Sequence, residues 1–211
     1  MHNRKGFTLW LTGLSGAGKT TLAGVLEQEM RARGMVVEVL DGDEIRTNLS
    51  KGLGFSREDR DTNIRRIGYV CRLLSRNGVA AISAAISPYR GVRDEVRWLI
   101  EADGAEFIEV FVKCPIEVLA ERDVKGLYQK ALAGELTGFT GVSDPYEEPF
   151  APEVVIESNR ETVKFSATKI LRELERRKLL PEAEAAGHST AVRSALDGEG
   201  LELLTDVGVL A

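Results

Sequence analysis

The chain has 211 residues, 43% hydrophobic and 29% charged, with a formal net charge of −5. That length suits one α/β domain, and the balance excludes collagen-like and wholly disordered sequence. No run of about 18 apolar residues occurs, which excludes a helical membrane span, and the acidity argues against non-specific nucleic-acid binding. The acidity is local: between Pro181 and Ala211 six acidic residues stand against one arginine, leaving residues 1–180 formally neutral. An anionic ligand must therefore be held there by local cations and backbone dipoles. Arg4 and Lys5 before Phe7 to Leu11 loosely imitate a signal peptide, but the apolar run is too short for one. Cys71 and Cys114 stand in no metal-like spacing and read as reduced thiols of a cytoplasmic protein.

In chain order, Phe7 to Thr12 predicts a buried strand and Thr20 to Arg33 a helix ended by Gly34. Met35 to Leu40 predicts a second strand. From Ser56 to Asn77, Ile64, Ile67, Val70, Leu73 and Leu74 recur at the spacing of one helix face. Val79 to Ile86 reads as a third strand, Arg93 to Ala102 as a helix and Phe107 to Val112 as a fourth strand. Pro115 suits the first turn of another helix. A short strand at Val154 to Ile156 and a helix from Glu161 to Leu180 close the body. Strands alternating with helices predict an α/β fold, a mostly parallel sheet covered on both faces. Gly126 to Pro152 is too long for an ordinary connection and reads as a lid or binding loop. Residues 181–211 read as a loosely structured acidic appendage, with a short helix near Leu201 to Leu204.

Gly13-Leu14-Ser15-Gly16-Ala17-Gly18-Lys19-Thr20 matches G-x-x-x-x-G-K-[ST] between a predicted strand and a predicted helix. Glycines let backbone N–H groups turn inward around phosphate oxygens, and the helix N-terminus adds the positive end of its dipole. Lys19 can bridge terminal phosphates, and the Thr20 hydroxyl can ligate Mg²⁺. The motif predicts nucleoside triphosphate binding. No guanine-reading N-K-x-D segment accompanies it, and a small body with a lid favours a small-molecule kinase over a motor or GTPase.

Asp41 ends the second strand, where the carboxyl edge of an open α/β sheet collects ligands. With Gly42, Asp43 and Arg46 it offers groups for Mg²⁺, an acceptor hydroxyl and an anion, or else an acidic N-cap for a short helix. Ser56 and Asp59 resemble a capping arrangement. Arg60 and Asn63, three apart, can project from one helical face.

Taken with Thr21, Leu53-Gly54-Phe55-Ser56, Arg60-Asp61-x-Asn63-Ile64-Arg65-Arg66, Ile86-Ser87-Pro88-Tyr89-Arg90, Lys125-Gly126-Leu127-Tyr128, Phe139-Thr140-Gly141 and Asp144-Pro145-Tyr146-Glu147, these segments resemble the adenylyl-sulfate kinase family over roughly Lys5 to Leu180. The resemblance implies a P-loop kinase fold. It further implies ATP with Mg²⁺ as donor, phosphorylation of the 3′-hydroxyl of adenylyl sulfate in sulfate assimilation, a homodimer and a possible link to an ATP sulfurylase. It places Gly13 to Thr21 on the donor phosphates, with Thr20 and Asp41 at the metal and Lys19, Asp41, Asp43 and Ser87 as catalytic groups. Phe55 and Phe139 would sandwich the acceptor adenine. Arg46, Arg60 and Asn63 would hold phosphosulfate and ribose, with Ile86 and Ser87 beside them, and Lys125, Gly126 and Leu127 would form the lid edge. The family serine matching Ser87 is a phosphoserine, although direct in-line transfer needs no covalent intermediate. Ala84-Ala85 departs from the family, where many members carry a bulky aromatic. Two rival readings are another small P-loop kinase and a nucleotide-binding regulator without catalysis.

Overall fold

A computed structural model of the chain describes residues 6–123 and 126–181, all within one compact unit that ends at Pro181. The helix expected near Leu201 to Leu204, the tail beyond Pro181 and Lys125 lie outside the described residues. Five strands, β1 (Phe7–Thr12), β2 (Val37–Asp41), β3 (Ala80–Ala84), β4 (Glu106–Lys113) and β5 (Val154–Glu157), form one sheet. The order is β2-β3-β1-β4-β5, with every pair parallel. The helices are α1 (Lys19–Ala32), α2 (Gly42–Asn48), α3 (Arg57–Arg76), α4 (Arg90–Ala102), α5 (Ile116–Arg122), α6 (Leu127–Leu132) and α7 (Val163–Arg176).

β1 is buried along its whole length, so alternate side chains feed two cores. Phe7, Leu9 and Leu11 join Leu22, Leu26 and Met30 of α1 and Ile170, Leu171 and Leu174 of α7. Trp10 faces the other way, among Ile64, Ile67 and Cys71 of α3 and Val92, Val96 and Ile100 of α4, and stacks on Phe107 at 5.6 Å. α1 therefore leaves β1 toward one face, while α4, which follows β3, covers the other. That divergence makes the crevice between the carboxyl ends of β1 and β3 the topological switch point, where open α/β sheets bind ligands. Gly68 lets α3 and α4 meet closely: a Cβ there would lie 2.5 Å from Val96 Cγ2.

Several elements depart from the sequence expectation: α7 ends at Arg176 rather than Leu180, and β2 starts at Val37 rather than Met35. β3 stops at Ala84 rather than Ile86, because the chain turns sharply at Ser87, whose φ is +48°. α4 starts at Arg90, three residues early. The segment after Gly126 is not structureless, since it opens with α6, whose Tyr128 and Gln129 N–H groups are capped by the Asp123 carboxylate at 3.0 and 2.9 Å.

Candidate active site

The loop from Gly13 to Gly18 joins β1 to α1. Gly13, Gly16 and Gly18 have φ of 150°, 74° and 99°, and a Cβ on Gly13 would lie 2.3 Å from the Val112 carbonyl oxygen. Only glycine fits that approach between β1 and β4. No side chain caps α1, so the donors of its first turn are left to the loop side, the arrangement that receives phosphate. Lys19 is buried, and its Nζ donates to the Gly13 and Leu14 carbonyls at 2.8 and 2.7 Å. Burial lowers its ammonium to about 8 against the opposing pull of Asp41 and Asp43. Ala17 is buried, whereas Thr20 and Thr21 are exposed. Tyr128 of α6 donates its hydroxyl to the Ser15 carbonyl at 2.8 Å, which brings the segment after Gly126 onto this loop.

Asp41 connects that loop to the residues that follow β2. Its Oδ2 accepts from Thr20 Oγ1 at 2.6 Å, and its Oδ1 accepts from the Asp43 N–H at 3.0 Å, capping α2. The capping and ligand readings of Asp41 are thus compatible. Among the described residues no three His, Cys, Asp or Glu side chains cluster as a metal cage. Mg²⁺ carried by a nucleotide needs only one or two protein oxygens, and the Thr20 hydroxyl beside the Asp41 carboxylate is a donor set of that kind.

Arg46 on α2 donates to the Gly54 carbonyl at 3.0 Å, and its guanidinium lies 4.4 Å from the Phe55 ring centroid. Partial burial, and secondly the charge of Arg60, lowers its pKa despite Asp59 and Asp43. Two guanidinium groups close enough to repel make a receptor for an anion. The Phe55 ring is 66% exposed, an arrangement a packing residue would not adopt. Ser56 does cap α3, accepting from the Asp59 N–H at 3.1 Å.

Arg60 differs from the expectation that it simply faces the acceptor. It is buried, its Nε donates to the Phe55 carbonyl at 2.9 Å, and its amino groups donate to Thr140 Oγ1 and the Gly138 carbonyl. Asp144 lies 3.4 Å away. Most of its donors are thus occupied by protein, and they tie Phe55 to both neighbours of Phe139. Phe139 meets Tyr128 edge-on at 4.9 Å. Asn63, one turn beyond Arg60, is buried, and its Oδ1 has no hydrogen-bond partner among the described residues. An orphaned buried acceptor costs about 1–3 kcal/mol, so it suits a donor supplied by a ligand.

Ser87 is 1% exposed, and its Oγ accepts from Trp10 Nε1 at 3.1 Å. The Ile86 carbonyl accepts from Thr12 Oγ1 at 2.7 Å and from the Gly13 N–H at 3.4 Å. Gly126, with φ of +63°, precedes Leu127 at the start of α6. Ala85 is buried, and a Cβ on Gly42 would lie 3.8 Å from its methyl, so a bulky side chain at position 85 would press on the start of α2. Sequence reasoning passed over Arg93, Glu109 and Thr12. The one available signal was Arg93 interrupting the Val92, Val96 and Ile100 stripe of α4.

Comparison with known proteins identifies the family. The family described as Adenylylsulphate kinase matches residues 5–157. The "Adenylyl-sulfate kinase" of Myxococcus xanthus (strain DK1622) is 58% identical over 186 residues, 88% of this chain and 100% of that one. The "Probable bifunctional SAT/APS kinase 2" of Sorangium cellulosum (strain So ce56) is 61% identical over 181 residues, 86% of this chain, which spans only 30% of that larger relative. Among solved structures, the Mycobacterium tuberculosis APS kinase CysC in complex with AMPPNP and APS superposes with a TM-score of 0.78 at 39% identity, covering 81% of this chain and 98% of that one. A family match across most of the body, supported by close full-length relatives, establishes that the chain belongs to the adenylyl-sulfate kinase family, enzymes that phosphorylate adenylyl sulfate with ATP.

Proposed function

We propose that residues 1–180 form the catalytic domain and that its reaction proceeds by direct in-line transfer from ATP to the 3′-hydroxyl of adenylyl sulfate. The observation that carries this reading is the Arg60 guanidinium, which ties Phe55 to the two neighbours of Phe139. An adenine between two phenyl faces gains stacking of about 1–3 kcal/mol per contact, by analogy with base stacking. Arg46 takes the phosphosulfate, and Asn63 Oδ1 accepts from a hydroxyl or amine of the acceptor. Arg60 keeps the aromatic clamp in shape, with its remaining N–H available to the ligand. Gly126 and Leu127, and by family resemblance Lys125, would contact the acceptor from the lid side, and Ile86 and Ser87 from the turn after β3.

On the donor side, the amides from Gly13 to Thr21 and the Lys19 ammonium hold the phosphates. Thr20 and Asp41 would hold Mg²⁺, which when bound neutralises phosphate charge. Asp43 orients the 3′-hydroxyl and takes its proton. Phosphoryl transfer depends mainly on alignment and charge neutralisation, so a weak base suffices. The burial of Ser87 under Trp10 favours a positioning role over a phosphoserine intermediate. The M. tuberculosis structure, with AMPPNP and APS bound together, supports a site that holds both nucleotides.

The cytoplasmic placement rests on two buried free thiols. The sulfurylase link rests on the bifunctional relative, and the homodimer on family resemblance. A coupled assay of ADP release tests the central reading. ADP should form only when adenylyl sulfate is present. Equal release with an unrelated alcohol would reject it, and release of none with either would favour a non-catalytic nucleotide binder.

A further inference from the structure

The turn that ends β3 is one a serine does not favour. A left-handed backbone at a residue other than glycine costs about 1–3 kcal/mol and persists only where its surroundings over-determine it. At Ser87 those surroundings are the hydrogen bond from Trp10 to its Oγ, the Arg93 Nη1 donation to its carbonyl, and Thr12 Oγ1, which donates to the preceding Ile86 carbonyl at 2.7 Å and lies 3.4 Å from that of Ser87. Arg93 is 2% exposed and reaches two further elements. Its Nε donates to Glu109 Oε1 on β4 at 2.8 Å, and its Nη2 donates to the Glu147 carbonyl at 2.7 Å.

Glu147 is the foot of the segment that carries Phe139. Its N–H donates to the Pro88 carbonyl at 2.8 Å, and its carboxylate accepts from the Arg90 N–H at 2.8 Å. Tyr146 and Asp144 are tied down next to it, by Thr12 at 2.9 Å and Tyr89 at 2.8 Å. Glu109 is backed in turn by Arg97 at 3.6 Å.

We propose that Arg93, held by Glu109, is a positioning residue for phosphoryl transfer. It locks the Ser87 turn to the Asp144–Glu147 foot and so sets the register of the Phe139 segment over the acceptor. This rests on the acceptor site described above. A buried ion pair is weak evidence for stability, because replacing both partners with apolar residues of similar size is often neutral or stabilising. What Arg93 adds is three directed bonds to three separate elements, which an apolar side chain cannot make.

The test is the double variant Arg93→Met/Glu109→Leu, which removes both charges together, with Arg93→Lys as a conservative companion. Kinetic constants for both substrates, AMPPNP affinity and thermal stability are measured. The double variant should stay folded and lose about tenfold to a hundredfold in kcat/KM for adenylyl sulfate, the scale of an ångström-level misplacement. AMPPNP affinity should stay within about twofold, below the energy of a single hydrogen bond. Arg93→Lys should show the same selective loss in milder form, since one ammonium cannot reach both carbonyls and Glu109. Wild-type acceptor constants in folded Arg93→Lys overturn the proposal whether or not the double variant folds. So do equal losses for donor and acceptor that track thermal stability. Phe55→Ala, run alongside, separates the two levels. If it lowers kcat/KM for adenylyl sulfate while the Arg93 variants do not, the positioning role alone falls; if it leaves that constant unchanged, the acceptor site and the proposal fall together.

Discussion

The donor and acceptor halves of the site are built on different plans. The proposed donor half is one contiguous stretch, Gly13 to Thr21, in which backbone N–H groups and a single lysine would meet the ligand. The proposed acceptor half is gathered from α2, α3, the turn after β3 and the segment after Gly126, and would work through side chains. Contiguity makes the first half robust and readable, because local geometry creates it. Assembly makes the second selective, because it exists only when distant segments are in register. The contrast also predicts where damage will fall.

The largest effect should come from Lys19→Ala. It removes the cation proposed to meet transition-state charge, and losing one such electrostatic donor costs about 10²–10³ in kcat. The fold should survive, since the lysine's partners are carbonyls of its own loop. Near-wild-type turnover of the folded variant would break the donor half of the comparison.

Next come the aromatics. Phe55→Ala should weaken adenylyl sulfate binding by about tenfold or more, the scale of one lost stacking partner. Stability should move by about 0.5 kcal/mol or less, as for an exposed residue. Phe139→Ala should show the same acceptor loss and a smaller donor loss, because its ring supports Tyr128, which bonds the Ser15 carbonyl. Calorimetric titrations with equal losses for both nucleotides in Phe55→Ala would reject the separation of the halves.

Ser87→Ala sharpens the boundary between them. It leaves the Trp10 N–H without its partner, at a stability cost of about 1–3 kcal/mol, while turnover should stay within about tenfold of wild type if transfer is direct. A chiral γ-phosphate should then invert. Net retention with a kinetically competent phosphoserine would assign the serine a covalent role.

The smallest effect is a proton. Free Lys19 titrates at about 8, and bound phosphates draw it back to the ammonium form. At pH 9 nucleotide binding should therefore take up close to one proton. Calorimetry in buffers of different ionisation enthalpy reads this directly, and buffer-independent heats at pH 9 would refute it. The same lowered pKa means that the unfolded chain holds the extra proton between about pH 8 and 10.5. Stability of the ligand-free protein should therefore rise with pH across that window.

Legibility followed the same division. β1 matches its expected span, and the P-loop lies where the motif placed it, because both are governed by local pattern. β4 and α3 differ only at their ends. α6 was hidden because its capping carboxylate, Asp123, precedes a glycine-rich stretch that reads as loop. The role of Arg60 was harder to see, since Thr140 and Gly138 are remote in sequence and nothing local announces that they consume its donors. Arg93 was missed for the same reason: its partners are a strand carboxylate and two backbone carbonyls, which no motif records.

The central strand carries a cost during synthesis. β1 lies between β3 and β4, with Phe7 opposite both Ala80 and Glu106. A growing chain must therefore wait until β4 has left the ribosome before Phe7, Leu9, Trp10 and Leu11 have strands on both sides. Such distant parallel pairing is slow and leaves apolar surface open to misassembly in the interval. The nucleotide loop depends on the same wait, because Gly13 is held against the turn after β3 and the end of β4. A motif translated ahead of the strands that hold it is thus among the last to become competent.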